Sequence, residues 1–211
     1  MTSSSAFKTE QESFWYGNFG DSYTERNAGD AVARSNLFFW GEVLRRTGPI
    51  ASCFEIGCNR GLNLDAIKSL MPACKTSGLE INSNAVKECA GRGHQVFEGS
   101  ILAPPTAAVS SSAADLSLVC GVLIHINPDC LAMAYELLYT LSNKYILVSE
   151  YFNPVPVAIP YRGHEDRLFK RDFAGELWTK YSSLKLVDYG FIWSKDPVAP
   201  RDDTTWFLFE K

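Results

Sequence analysis

The chain has 211 residues, with 20 Lys and Arg against 24 Asp and Glu, a net charge of −4 and 46% hydrophobic residues. That length suits one α/β domain with a modest addition, and that apolar fraction builds a core where a disordered chain has none. No Lys/Arg-rich block and no run of about 18 apolar residues occurs, which excludes a broad nucleic-acid footprint and a transmembrane helix. The first residues are polar and carry no cationic, apolar leader, so a cytoplasmic protein without a membrane partner is expected.

In chain order, residues 10–27 combine aromatic and polar side chains, among them Trp15, Tyr16, Phe19, Tyr23 and Arg26. Residues 31–47 read as a helix with Leu37, Phe38, Trp40 and Leu44 on an apolar face, ended by Gly48-Pro49. A strand over 51–56, a helix over 62–70, a strand over 76–81 and a helix over 84–92 follow. A short strand over 94–98 leads into a Pro/Ala/Ser loop over 103–114. Residues 115–121 form the fourth strand, apolar as central parallel strands are. A helix over 128–141 carries Asp129 near its positive end, and a strand over 144–150 completes the series. Residues 152–163 are Pro-rich, irregular and too aromatic for a mere connector. A helix over 171–181 precedes two alternating segments, 184–193 and 204–210, which pair and close the sheet in antiparallel fashion. Residues 1–50 are thus an aromatic, helical lid segment. Residues 51–211 form the main domain, with an insert around 152–170. Repeated strand–helix units predict a doubly wound sheet with right-handed crossovers. The aromatic N-terminal segment can pack on its own domain or swap into a partner copy, which leaves a homodimer open.

Six cysteines form no C-x-x-C pair and fit no common zinc spacing, so free thiols are expected and no metal is assigned. The chemistry sits elsewhere. The apolar strand Cys53-Phe-Glu-Ile56 runs through Glu55 into Gly57-Cys-Asn-Arg-Gly61 and then a helix. Gly57 and Gly61 allow close backbone approach or positive φ, and the helix start offers free N–H groups. A pyrophosphate-binding turn carries G-x-G-x-x-G, and this loop does not. Glu80 ends the next strand, about 20 residues on, where an acid accepts hydrogen bonds from ribose hydroxyls. An adenosine ligand without pyrophosphate fits this pairing better than NAD. Strand ends place Glu55, Glu80, Ser100, Cys120-Gly121 and Glu150-Tyr151 around one crevice.

The glycine loop, Gly78-Leu-Glu-Ile-Asn82, Glu98-Gly-Ser-Ile-Leu102 and Gly121-Val-Leu-Ile-His-Ile-Asn-Pro128 together resemble class I S-adenosylmethionine (SAM) methyltransferases. Phe14-Trp-Tyr-Gly-Asn-Phe-Gly-Asp-Ser-Tyr-Thr-Glu-Arg-Asn27, Tyr151-Phe-Asn-Pro-Val-Pro-Val157, Ile159-Pro-Tyr-Arg-Gly-His-Glu-Asp-Arg-Leu-Phe-Lys-Arg-Asp-Phe-Ala-Gly175 and Asp202-Asp-Thr-Thr-Trp-Phe-Leu-Phe-Glu-Lys211 resemble the pseudaminic acid biosynthesis-associated methylases within that class. The resemblance implies a Rossmann-like, mostly parallel seven-stranded sheet with an antiparallel C-terminal strand. It implies SAM as cofactor, S-adenosylhomocysteine as product, and methylation of O or N on a small, polar, anionic acceptor. A nonulosonic sugar acid or its conjugate is favoured; a phosphonate or carboxylate is the alternative. A non-catalytic SAM-binding regulator is a reading of another class, and a NAD-dependent reductase a weaker one.

On that resemblance Glu55, Gly57, Asn59 and Gly61 surround the methionine part and the loop, with Asn59 where a glycine is common in the class. Glu80 takes the ribose. Ser100 and Ile101 contact adenine, with Ser100 where many members carry Asp. Cys120 and Gly121 lie against the methionine part through backbone groups. Tyr23 and Arg26 close over the cofactor, Arg26 on its carboxylate, or else belong to a surface helix pair. His125 follows the fourth strand, where a neutral imidazole takes the acceptor's proton; the alternative is a packed, structural His. Glu150, Tyr151 and His164 are further catalytic candidates. Tyr16, Arg162 and Lys170 are the acceptor-binding candidates, the last two as anion readers set against an internal salt-bridge network with Glu165 and Asp166.

Overall fold

A computed structural model describes residues 7–26, 30–111 and 113–211. Three helices open the described chain: α1 (Glu10–Tyr16), α2 (Asn18–Arg26) and α3 (Asp30–Thr47). Thr9 and Glu12 start α1 with a reciprocal capping box, so two otherwise unmatched N–H groups are satisfied. Gly48, at φ 66°, ends α3 in the left-handed conformation that glycine adopts without strain.

Strands and helices then alternate. They are β1 (Ser52–Ile56), α4 (Leu62–Leu70), β2 (Lys75–Glu80), α5 (Ser83–Gly91), β3 (Gln95–Glu98), α6 (Thr106–Ser111), β4 (Ala114–Cys120), α7 (Leu131–Thr140) and β5 (Ser142–Glu150). A hairpin of β6 (Val157–Tyr161) and β7 (His164–Lys170), helix α8 (Phe173–Lys180), β8 (Lys185–Ile192) and β9 (Thr204–Glu210) complete the chain. The seven-stranded sheet has the order β3-β2-β1-β4-β5-β9-β8. Strands β1 to β5 pair in parallel, and β9 runs antiparallel to both neighbours. This is the doubly wound α/β arrangement expected from the strand–helix alternation. The strand order reverses at β1/β4, which opens a crevice at the carboxyl ends of those strands.

Side-chain alternation divides the core between the two faces of the sheet. Phe54, Ile56, Ile146, Val148 and Phe209 pack one way with Leu131, Leu138, Phe173 and Leu177. Cys53, Leu147 and Leu208 pack the other way with Trp40, Leu44, Leu64 and Ile67. Each such buried side chain contributes about 1.5–3 kcal/mol of apolar transfer energy.

Three segments differ from the sequence expectation. The irregular stretch 152–163 contains β6, which pairs with β7 through a two-residue turn at Arg162 and Gly163. Both turn residues have positive φ, 51° and 84°, as a type I′ turn requires. Arg-Gly is not a usual signal for that turn, so the hairpin is silent in the sequence. The loop over 103–114 holds the short helix α6. The helix expected over 128–141 begins as a 3-10 turn at Pro128–Cys130, because Asn127 caps Asp129 ahead of α7. Among the described residues, no helix is long and apolar enough to cross a membrane.

Candidate functional site

The crevice outside β1, β2 and β4 holds a cavity of about 490 Å³. Its floor is the glycine loop. Gly57 turns the chain at φ 70°, and a Cβ there would meet Val122 Cγ2 at 2.5 Å. Gly61, at φ 83°, leaves equally little room, with Cys89 Sγ 2.7 Å from a built Cβ. Asn59 also takes positive φ, 45°. Asn tolerates this conformation because its short amide bonds locally. Here Oδ1 accepts from Arg60 N and Nδ2 donates to Thr24 Oγ1.

Glu80 ties the loop to β2. Its Oε2 accepts from Asn59 N and its Oε1 from Asn82 N, each at 2.8 Å. Burial raises its pKa, and these backbone donors oppose that. Each carboxylate oxygen has a second lone pair, so Glu80 retains capacity for ligand hydroxyls. Glu55 is deeper, 2% exposed. Its Oε1 accepts from Asn63 Nδ2 at 2.7 Å, and Asn63 Oδ1 accepts from Trp40 Nε1. Its Oε2 is buried without a partner. Burial, partly offset by the Asn63 bond, pushes its pKa to about 8.

At the β3 end, Ser100 Oγ donates to Glu12 Oε1, and Leu102 N donates to Ser100 Oγ. Glu12 comes from α1, where its other oxygen accepts from Thr9 N at 2.8 Å. The neutral Ser100 is therefore accompanied by a buried carboxylate from the N-terminal helix. Thr9, Glu12, Trp15 and Tyr23 line the same cavity.

His125 is buried on the 3-10 turn after β4. Its Nδ1 lies 2.6 Å from Arg167 O, and a carbonyl only accepts, so Nδ1 carries the proton and Nε2 holds the free lone pair. Burial lowers its pKa to about 4, with the Arg167 bond opposing. Trp15 and Tyr161 pack against the ring at centroid distances of 4.5 and 5.0 Å.

Of the residues singled out from sequence, Tyr23, Glu55, Gly57, Asn59 and Glu80 line the cavity, as do Ser100, Ile101, Cys120, Gly121 and His125. Gly61 caps α4 beneath the loop. The Arg26 side chain lies outside the described residues. Six candidates stand elsewhere. Glu150 accepts from Val122 N, Leu123 N and Ile124 N, and so holds the turn bearing His125. It points behind that turn, and burial raises its pKa to about 7. Tyr151 lies under Lys170, whose ammonium sits 5.1 Å over its ring. His164 and Arg162 are exposed on the hairpin, His164 edge-on to Phe14 at 4.9 Å. Tyr16 is 46% exposed and packs on Phe7. The hairpin reaches the cavity indirectly, through Arg167 O on His125 and through Gln11 Nε2, which donates to Asp166 O.

Arg201, between β8 and β9, also lines the cavity and was silent in the sequence. It follows Pro200 in an irregular connection, with no periodicity to single it out. The capping pattern Thr9-x-x-Glu12 was the available signal for Glu12. Among the described residues, no group of His, Cys, Asp or Glu is placed to hold a metal ion.

No family model and no curated protein matches the chain. Solved structures match its fold. The SAM-bound magnesium protoporphyrin IX methyltransferase from Synechocystis aligns over 100% of both chains, at 11% identity and a TM-score of 0.67. The 1,6-didemethyltoxoflavin-N1-methyltransferase from Burkholderia thailandensis, solved with S-adenosylhomocysteine, aligns over 95% of this chain and 86% of its own, at 12% identity and a TM-score of 0.69. A SAM-dependent methyltransferase from Clostridium acetobutylicum aligns over 92% and 98%, at 11% identity and a TM-score of 0.61. The fold is that of class I SAM-dependent methyltransferases.

Proposed function

We propose that the protein is a SAM-dependent methyltransferase acting on O or N of a small, polar acceptor. The observation that carries this reading is Glu80, joined through Asn59 N to the glycine loop and facing the same cavity. The residues present fit the cofactor. Glu80 retains lone pairs for a ribose, Ser100 and Ile101 flank the adenine end, and the unmatched Glu55 Oε2 suits a cationic amine. The lack of a Cβ at Gly57 keeps the floor low enough for close backbone approach. When bound, SAM supplies a methyl group already activated by the sulfonium.

The chain then has two tasks, alignment and proton management. Trp15, Tyr23 and the 121–126 turn frame the space left for an acceptor. His125 Nε2 takes the acceptor's proton; burial keeps the imidazole neutral at physiological pH and, through the same low pKa, makes it a weak base that holds the proton only in passing. Helices α1 and α2 act as the lid, braced by the β6–β7 hairpin. A cavity of about 490 Å³, shared by cofactor and acceptor, favours a small acceptor over a macromolecule.

The sequence resemblance to pseudaminic acid-associated methylases supports a nonulosonic sugar acid or its conjugate, with a phosphonate or carboxylate as the alternative. Incubation with SAM and a panel of sugar acids, phosphonates and simple carboxylates, read as S-adenosylhomocysteine release, tests this. Turnover on a sugar acid supports the favoured acceptor. Turnover confined to the phosphonates or carboxylates replaces it. Cofactor binding without turnover on any member argues for a regulator.

A further inference from the structure

Strand β8 forms one edge of the sheet, and among the described residues no strand pairs with its outer side. It is eight residues long, against four for β3 at the opposite edge. Its side chains alternate. Asp188 bonds to Arg46 of α3 at 2.5 Å, Gly190 lies against Trp206, and Ile192 packs on the core of that face. Tyr189, Phe191 and, just past the strand, Trp193 alternate with them and are 63%, 63% and 52% exposed. Tyr189 stacks on Phe207 at 5.9 Å, and Phe191 stands opposite Thr205. Helix α8 packs on this face at Phe209, through Trp178, and the rings beyond it stay open.

A long, apolar edge strand is a template for another strand, because its outward N–H and C=O groups have no partner in the sheet. A bulge at Val187 guards one end, and residues 188–192 keep a regular register with β9. The occupant must bring an extended strand and apolar rings, and a second β8 brings both. We propose that β8 is a homodimer interface, in which residues 188–192 pair antiparallel with the same residues of a second copy. A two-fold axis normal to the sheet and passing through Gly190 keeps each face on its own side. It sets Tyr189 opposite Phe191 twice, and each such aromatic pair is stabilising. Asp188 falls opposite Ile192, so no like charges meet within the paired segment. The area fits as well. With aromatic side chains of about 150–250 Å², those exposures leave roughly 350 Å² of ring surface open. That is nearly half of the about 800 Å² per partner of a standard interface, before Leu186, Val187 and the strand backbone are added. The two seven-stranded sheets become one continuous sheet across the dimer.

Sedimentation velocity of the full chain, from about 1 to about 100 μM, tests this against a monomer and against an edge that takes only a foreign peptide. The proteins compared are the wild type, Tyr189→Lys, Phe191→Lys and Met133→Lys, with a thermal melt of each to verify folding. Met133, 42% exposed on α7, is the control for a surface charge placed elsewhere. The wild type is expected to dimerise in this range. Tyr189→Lys and Phe191→Lys are each expected to weaken the dimer about tenfold or more, the scale of an interface anchor, and Met133→Lys to leave it intact. A wild type that stays monomeric throughout overturns the proposal, as does a dimer that survives both β8 substitutions or one that Met133→Lys weakens equally. Should Tyr189→Lys lose its fold with the Phe207 stack, Phe191→Lys decides the matter, since its ring touches no other in the sheet register beyond Thr205.

Discussion

Replacing Glu55 by Gln is expected to stabilise the ligand-free protein at alkaline pH while weakening its cofactor affinity. Glu55 is fully enclosed, and burial lifts its pKa from 4.5 to about 8 even with Asn63 and Arg201 opposing. Its folded value lies above the unfolded one, so the native state holds the proton more tightly. The stability linked to this group is complete below about pH 4.5 and is lost as pH rises towards 8. Between pH 5 and pH 9 the loss amounts to about 4 kcal/mol at 1.36 kcal/mol per pKa unit. Gln keeps an acceptor for Asn63 Nδ2 and has no proton to lose, so this pH-dependent loss disappears. Glu150, raised to about 7, adds a slope of the same sign that both proteins share, and the difference between them isolates Glu55. Urea unfolding at pH 5 and pH 9 measures the effect. The gap between variant and wild type is expected to move in the variant's favour by about 4 kcal/mol, or roughly 8–16 °C in Tm. A gap that stays constant with pH, or that moves the other way, refutes the reasoning. Retention of so unfavourable a carboxylate in a cavity wall is the pattern of a group kept for binding at the expense of stability.

Three further outcomes follow from the site. Glu150→Ala strips the acceptor from three backbone N–H groups and should cost about 3 kcal/mol or more in urea unfolding, since each buried donor left unmatched is expensive. Gly57→Ala forces a Cβ into φ 70° and against Val122, and a loss of about 2 kcal/mol or more, read as a lower melting temperature, is expected. With its pKa held near 4, His125 is neutral across the working range, so kcat should show no His inflection near pH 6.5. His125→Ala should lower kcat by about 10²–10⁴ through loss of the base, and a variant that keeps full kcat at every pH removes that role.

The glycine-loop side of the cavity was legible because local rules write it. A strand, two glycines and an acid after the next strand fix Gly57, Gly61 and Glu80 by spacing alone. The roles of Glu150, Arg162, Lys170 and His164 were not legible, for different reasons. Being at the end of a strand does not say which way a side chain points, and Glu150 turns to the backbone N–H groups of residues 122–124. The cationic cluster over 162–171 lies on a hairpin whose Arg-Gly turn carries no common signal, so its distance from the cavity depends on a fold the sequence does not announce. Arg201 and Glu12 are tertiary contributions. Each reaches the site from a segment far along the chain, Glu12 by bonding to Ser100 and Arg201 by stacking on Phe39.

The most direct test is calorimetric titration of the full chain with S-adenosylhomocysteine and with NADH, repeated on Glu80→Ala. Micromolar binding of S-adenosylhomocysteine, weakened at least tenfold by the substitution, with no binding of NADH, is the expected result for a ribose held by two charge-assisted hydrogen bonds. Binding of NADH alone, or of neither ligand, would contradict the assignment and leave the methyltransferase fold without its cofactor.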